Sequence, residues 1–259
     1  MSTDLNVVEH PRGQGDLSPL LANAPSIDFG KNRGLELENV RVHYCLFEAP
    51  MAQAKELIPP SLHPGNPAHM SITGYSVADS EIGPFEYAVI ALGCRAGIKP
   101  HMLTLSSFFS TPAACEYFAE NFGYDGAVAN VKTSRFHHET STNVELEGGR
   151  VILDVATEYP RQLLGTGQVK YPTPLNVAKL GDHQGLVRVD IGYEYRETER
   201  GEIRLRQFSA GDLTDQKLEP TNAISGASSD VGMQFSASSG IIDLETMASA
   251  GGLRWLGSK

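Results

Sequence analysis

Glu86 stands in Gly83-Pro-Phe-Glu-Tyr87, at the start of an otherwise apolar stretch. A carboxylate at the mouth of an apolar strand can have a raised pKa and act as acid or base, or it can be an ordinary surface glutamate at a strand end. Arg41 lies in the alternating run Val40-Arg-Val-His-Tyr-Cys-Leu-Phe47, on the side away from Val40, Val42, Tyr44 and Leu46. A guanidinium fork there could hold a carboxylate bidentately, or simply be solvated. Tyr124 and Asp125 sit in the turn Gly123-Tyr-Asp-Gly126. Tyr124 could donate a proton to an enolate oxygen. Asp125 could serve as a base or stabilise the turn through an Asx hydrogen bond. Lys132, on the strand after that turn, could form an imine if burial lowered its pKa; otherwise it is a strand lysine in a salt bridge. His137 and His138 point to opposite faces of a strand and cannot chelate one ion together. There is no H-E-x-x-H and no C-x-x-C, so no metal is implied, and the glycine turn has the spacing of neither a P-loop nor a dinucleotide fingerprint.

These side chains hang on a recognisable order of elements. Glu86 to Leu92 reads as a strand, Gly93 to Pro100 as a connection, and His101-Met-Leu-Thr-Leu105 as a second strand. A helix follows from Thr111 to Asn121, with Thr111 as cap and Pro112 at a first position whose N–H has no partner anyway. The glycines after it permit a tight turn into the strand carrying Lys132. Pro50 to Leu57 reads as a short helix and His69 to Val77 as a strand. Lys132 to Leu146 and Arg150 to Glu158 read as a long hairpin about Gly148-Gly149, with mixed faces that suit a strand lining a polar cavity. Residues 160 to 185 read as a Pro/Gly-rich covering loop. Leu186 to Arg196 and Ile203 to Phe208 alternate, with a turn at Glu199-Arg-Gly201 between them. Gly211 to Val231 reads as irregular, and Met233 to Met247 as holding one last strand. Many short strands and few helices predict an α+β fold, mainly antiparallel sheet closing into a barrel or cone around a cavity.

The order resembles the middle of the acetoacetate decarboxylase superfamily: a Glu after a loop, a His-Met strand, a Pro-Ala helix, then a glycine-rich turn before a long hairpin. Leu57-Ile-Pro-Pro-Ser-Leu62 is similar to that family's Leu/Val-x-Pro-x-x-Leu helix end. Pro172-Thr-Pro-Leu-Asn-Val-Ala-Lys-Leu-Gly-Asp-His-Gln-Gly185 is similar to its Pro-rich connection. The resemblance covers about residues 36 to 245. It implies a cavity glutamate at Glu86, a substrate-carboxylate arginine within about one residue of Arg41, and a histidine at His101. In the decarboxylases the glycine turn carries Pro-Lys-Lys, whose first lysine forms the Schiff base. Here the corresponding stretch is Gly123-Tyr-Asp-Gly-Ala127, without a lysine, and Lys132 is the nearest one.

The 259 residues are 41% hydrophobic, enough for one sizeable core, which residues 35–259 would build, with residues 1–34 as an extended polar arm. Mean hydropathy of -0.22 and no apolar run near twenty residues argue against a membrane span. A net charge of -10 lacks the footprint of a nucleic-acid binder. Three scattered cysteines and no basic-then-apolar N-terminus predict a reducing, cytoplasmic setting.

The expected function is a small-molecule lyase acting on an oxo acid or related carbonyl compound, by C–C cleavage, aldol-type chemistry or dehydration. No cofactor is implied, the family's assembly implies a homo-oligomer, and acetoacetate decarboxylation itself is not expected. The alternative is a non-catalytic or cyclase-like β-barrel that binds an apolar or aromatic metabolite.

Overall fold

The computed structural model describes residues 11–163, 169–215, 217–238, 241–243 and 255–256. The first half of the chain forms α1 (Ser18–Asn23), β1 (Leu35–Glu48), α2 (Met51–Leu57), β2 (His63–Pro64), β3 (His69–Asp79), β4 (Phe85–Ala96), β5 (Lys99–Phe109) and α3 (Pro112–Phe122). There follow β6 (Gly126–Val128), β7 (Asn130–Arg135), β8 (Glu139–Leu146), β9 (Arg150–Gln162), β10 (Thr173–Leu180) and β11 (His183–Arg188). The last elements are β12 (Ile191–Phe208), α4 (Ala210–Leu213), β13 (Ala223–Phe235), β14 (Ile241–Asp243) and β15 (Trp255–Leu256).

All the strands belong to one sheet, in the order β15-β14-β11-β10-β5-β4-β3-β1-β13-β12-β9-β8-β7, with β2 beside β4 and β6 beside β5. The fold class is as expected in its weight of strand, but two features differ. The sheet is mixed: β5 runs parallel to both β10 and β6. It also does not close into a barrel. Instead β7, β8 and β9 curl over one face of β1, β3 and β4, and side chains make the joint. The Glu86 carboxylate on β4 accepts the backbone N–H of Thr133 on β7. His43 on β1 reaches Thr142 on β8 at 2.8 Å and Thr157 on β9 at 2.9 Å. Gly74 lets the layers meet, since a Cβ there would lie 2.1 Å from the Thr142 hydroxyl.

Both faces of the central strands are therefore buried. The face under β7–β9 packs Cys45, Phe47, Ile72, Ile90, Val131, Val144 and Val155. The opposite face packs Val40, Val42, Tyr75, Tyr87 and Phe109 against α3 through Phe118 and Phe122. Thr111 caps α3, accepting from the Ala114 N–H at 3.3 Å, so the helix begins as its sequence requires.

Several expected elements are corrected. The connection after Leu92 is only Gly97-Ile98, because β4 and β5 pair out to Ala96 and Lys99. The arm from Lys132 to Leu146 breaks at Phe136–His138 into β7 and β8. The covering loop holds β10 and β11: Leu175 to Ala178 are buried in succession, a pattern without alternation that marks a strand covered on both sides. The turn at Glu199–Gly201 is absent. β12 runs through it, paired to β13 and β9 at once, and the two ladders override the local turn propensity. Gly211 to Val231, expected to be irregular, holds most of β13, where Gly226 lies close to Thr157 and Ile203. Residues 244–247 of the last expected strand lie outside the described residues. Of the N-terminal arm, residues 11–34 dock on their own chain: Gly13 and Gly15 donate to Leu62 and Ile58, and Ile27 donates to Lys179.

Candidate functional site

The nominated side chains separate onto the two faces of the sheet. Arg41, Ser76 and Glu86 form one row across β1, β3 and β4, on the face under β7–β9. Three adjacent strands put the outer Cα atoms about 10 Å apart. Arg41 borders an open cleft of about 490 Å³ with Ser76, Thr133, Arg196, Glu197 and Asp230. Its fork is already engaged, with Nε and Nη2 donating to Asp230 at 2.8 and 2.9 Å. The neighbouring Arg135 is paired in the same way to Glu199, at 2.8 and 2.9 Å. Burial raises the Glu86 pKa, opposed by the Thr133 N–H and the Lys132 charge. Its carboxylate ties β4 to β7, as a joint in the fold rather than as a free acid.

Lys132 is exposed on β7, on the side of the strand away from buried Val131 and Thr133. It does not reach an enclosed space, so the imine route through it finds no geometry. Asp125 is also exposed; its main-chain carbonyl, not its carboxylate, ties the turn down by accepting from the Ser107 hydroxyl at 2.9 Å. His101, 6% exposed, pairs with Cys94 and Thr173 and alternates away from Met102 and Thr104. Burial lowers its pKa.

Tyr124 is the exception. It is buried on the α3 face and lines a small, partly open cavity of about 30 Å³ with Tyr44, Tyr75, Tyr171 and Tyr193. Ser71, Thr73 and Thr104 add hydroxyls, and Val89, Ala91, Met102, Pro172 and Pro174 complete the wall. Tyr171 meets Tyr44 edge-on at 5.3 Å and Tyr193 at 4.9 Å, and its hydroxyl donates to Ser229 at 3.1 Å. Burial pushes the hydroxyl pKa of all five tyrosines upward, so each keeps its proton at neutral pH. The Thr104 hydroxyl oxygen is buried without a hydrogen-bond partner. Sequence reading named Tyr124 alone. The other four tyrosines are spread over β1, β3, the segment before β10, and β12, and no local pattern links them.

The glycine turn adjoins this cavity: Asp125, where the family's lysine would be expected, is exposed, and the next position, Gly126, has no room for a side chain. A Cβ on Gly126 would lie 2.6 Å from the ring of Phe109. Phe109 is fully buried against Tyr87 and Phe118, so the ring has nowhere to go. The one-residue offset at Arg41 has a matching consequence. In a strand it moves a side chain to the other face, and the flanking positions, Val40 and Val42, are both buried and apolar.

No family model and no curated protein sequence matches the chain. Solved structures do. The acetoacetate decarboxylase of Legionella pneumophila superposes with a TM-score of 0.70 at 13% identity, over 85% of this chain and 90% of that one. The chain has the acetoacetate decarboxylase-like fold. The enduracididine biosynthesis enzyme MppR, complexed with pyruvate, gives 0.65 at 13% identity over 82% and 89%. An acetoacetate decarboxylase-like enzyme from Sphingomonas wittichii gives 0.63 at 12% identity over 79% and 91%. Among the described residues no lysine lines the Tyr124 cavity, and Lys132 is exposed on β7.

Proposed function

We propose that this chain is a small-molecule lyase acting on a carbonyl compound in the Tyr124 cavity, with neutral tyrosine hydroxyls in place of a Schiff-base lysine. The observation that carries the reading is the convergence of three buried tyrosines (Tyr44, Tyr75 and Tyr124), two half-buried ones (Tyr171 and Tyr193) and Thr104 on one small cavity beside the glycine turn. Breaking a C–C bond next to a carbonyl, or the α C–H bond whose proton passes to solvent before a β-hydroxyl departs with its own electron pair, sends an electron pair toward the carbonyl oxygen. Hydroxyl donors held in place by the fold stabilise that oxyanion without needing an iminium. C–C cleavage, aldol-type chemistry and dehydration all share this demand. Acetoacetate decarboxylation through an imine does not fit, for want of the amine.

The test follows a panel of β-hydroxy ketones and oxo acids by NMR with wild type and Tyr124→Phe. Turnover should fall about 10²–10³-fold in the variant, the usual cost of one oxyanion donor. Borohydride should trap no adduct. A trapped adduct, or turnover indifferent to Tyr124→Phe, rejects the proposal. A second reading keeps the cavity but removes the chemistry: among the described residues no carboxylate or amine lines it to move protons, which favours simple binding of an apolar or aromatic metabolite. Saturable binding with no turnover across the panel selects that reading.

A further inference from the structure

We propose that the Tyr124 cavity takes an uncharged ligand, a neutral carbonyl compound with an apolar body, and rejects oxo acids and other carboxylates. This rests on the cavity being the functional site, and it names what the site accepts.

The argument starts from charge. Among the described residues no Asp, Glu, Lys, Arg or His lines the cavity. The charge pairs Arg41 with Asp230 and Arg135 with Glu199 lie on the opposite face of the sheet, and Arg200, the cation whose charge reaches Tyr171, is exposed to solvent and does not line the cavity. A carboxylate moved into the tyrosine-lined space would lose its water and gain no counter-charge. Burial of an unpaired ion is far more costly than burial of a carbonyl oxygen that receives one or two hydrogen bonds. The tyrosines cannot supply positive charge, only O–H donors.

The second observation points to what is missing. Thr104, 8% exposed, lines the cavity with a hydroxyl oxygen that has no partner. Buried hydroxyls in native proteins are nearly always paired, and an orphan facing a cavity is a donor waiting for an acceptor. A carbonyl oxygen offers that acceptor without a charge. Met102, Val89 and Ala91 supply the apolar wall for the body behind it.

The third observation is size. About 30 Å³ is room for a water molecule or two, less than any ketone. Entry therefore requires the cover to shift. That cover is Tyr171 and Pro172, which precede β10 rather than belong to it. Shortening Tyr171 should widen the site.

The experiment measures binding by saturation-transfer NMR and calorimetry, with acetophenone and cyclohexanone as neutral probes and benzoate and pyruvate as charged ones. The proteins are wild type, Thr104→Val, Tyr124→Phe and Tyr171→Ala, each checked for an unchanged unfolding transition. Thr104→Val keeps shape and volume, so it stays informative if Tyr124→Phe misfolds. Acetophenone should bind wild type, bind Tyr171→Ala more tightly, and weaken about fivefold or more in Thr104→Val and Tyr124→Phe, as the loss of one hydrogen bond requires. Three results would each overturn the inference: benzoate or pyruvate binding more tightly than the neutral probes and depending on Tyr124; acetophenone binding that ignores both hydroxyl deletions; or no neutral binding even to Tyr171→Ala at millimolar probe. Neutral binding without turnover of any carbonyl compound would reject the enzymatic reading and leave this inference standing.

Discussion

The carboxylate of Glu86 accepts the backbone N–H of Thr133, and by doing so holds the last strand of the sheet against its middle. A glutamate thus takes the place of a backbone ladder between β4 and β7. Glu86→Gln keeps an acceptor for that N–H and should leave stability close to wild type at pH 8. Glu86→Ala orphans the donor and should cost about 1–3 kcal/mol, read from urea unfolding. The pH dependence has a definite sign. Burial raises the folded pKa, so the folded state holds the proton more tightly than the unfolded one. The Glu86 contribution to stability is therefore largest below the unfolded value near about 4.3 and is lost as pH rises through the folded value. Glu86→Gln should flatten the wild-type curve in that window; an unchanged slope would reject the assignment.

His43 should govern acid sensitivity in the opposite direction. It is fully buried among Thr142, Thr157 and Cys45, and burial depresses its pKa to about 3. The unfolded chain takes up this proton at about pH 6.5, so below that value stability should fall by about 1.4 kcal/mol per pH unit from this residue. His43→Gln should be less stable at pH 8, where a neutral network is disrupted, yet lose less on acidification to pH 5. Parallel slopes for the two proteins would remove His43 from the account.

Gly126 should tolerate no side chain. Gly126→Ala drives a Cβ into the Phe109 ring and should destabilise by about 1–3 kcal/mol, by thermal or urea unfolding. Gly126→Lys should therefore unfold more readily still and supply no borohydride-trappable amine. A folded Gly126→Lys protein that traps acetoacetate would show that the turn can open.

Lys132→Ala should leave ligand binding and any turnover at wild-type level, because the residue is exposed and does not line the Tyr124 cavity. A loss of tenfold or more in either would restore Lys132 as a candidate.

The order of strands around Glu86, the cap at Thr111 and the missing lysine were legible because each is a local signal: alternation, a capping residue before proline, an absent residue type. β10 and β13 were not. Asn176 and Ser229 are as buried as their apolar neighbours, and burial on both sides erases the alternation that announces a strand. The face of a side chain was the subtler loss. Arg41 and Glu86 lie on strands on the face under β7–β9, whereas Tyr124 comes from the turn after α3 and packs on the other face, a separation that only the tertiary fold reveals. The tyrosine cluster could not be read at all, since its members come from distant elements.

The pairing of β5 with β10 spans only Thr173 to Leu175 against His101 to Leu103, whereas β1 and β3 pair along most of their length. The sheet therefore has a seam. Met102 and Thr104 stand on one side of it, Pro172 and Pro174 on the other, and the Tyr124 cavity lies between. Parting the walls there breaks a few parallel hydrogen bonds and leaves every long antiparallel ladder intact. Small-molecule entry and the rigidity of the scaffold are thereby assigned to different bonds, and amide exchange at Leu103 and Leu175 should run ahead of exchange at Val42 and Tyr75.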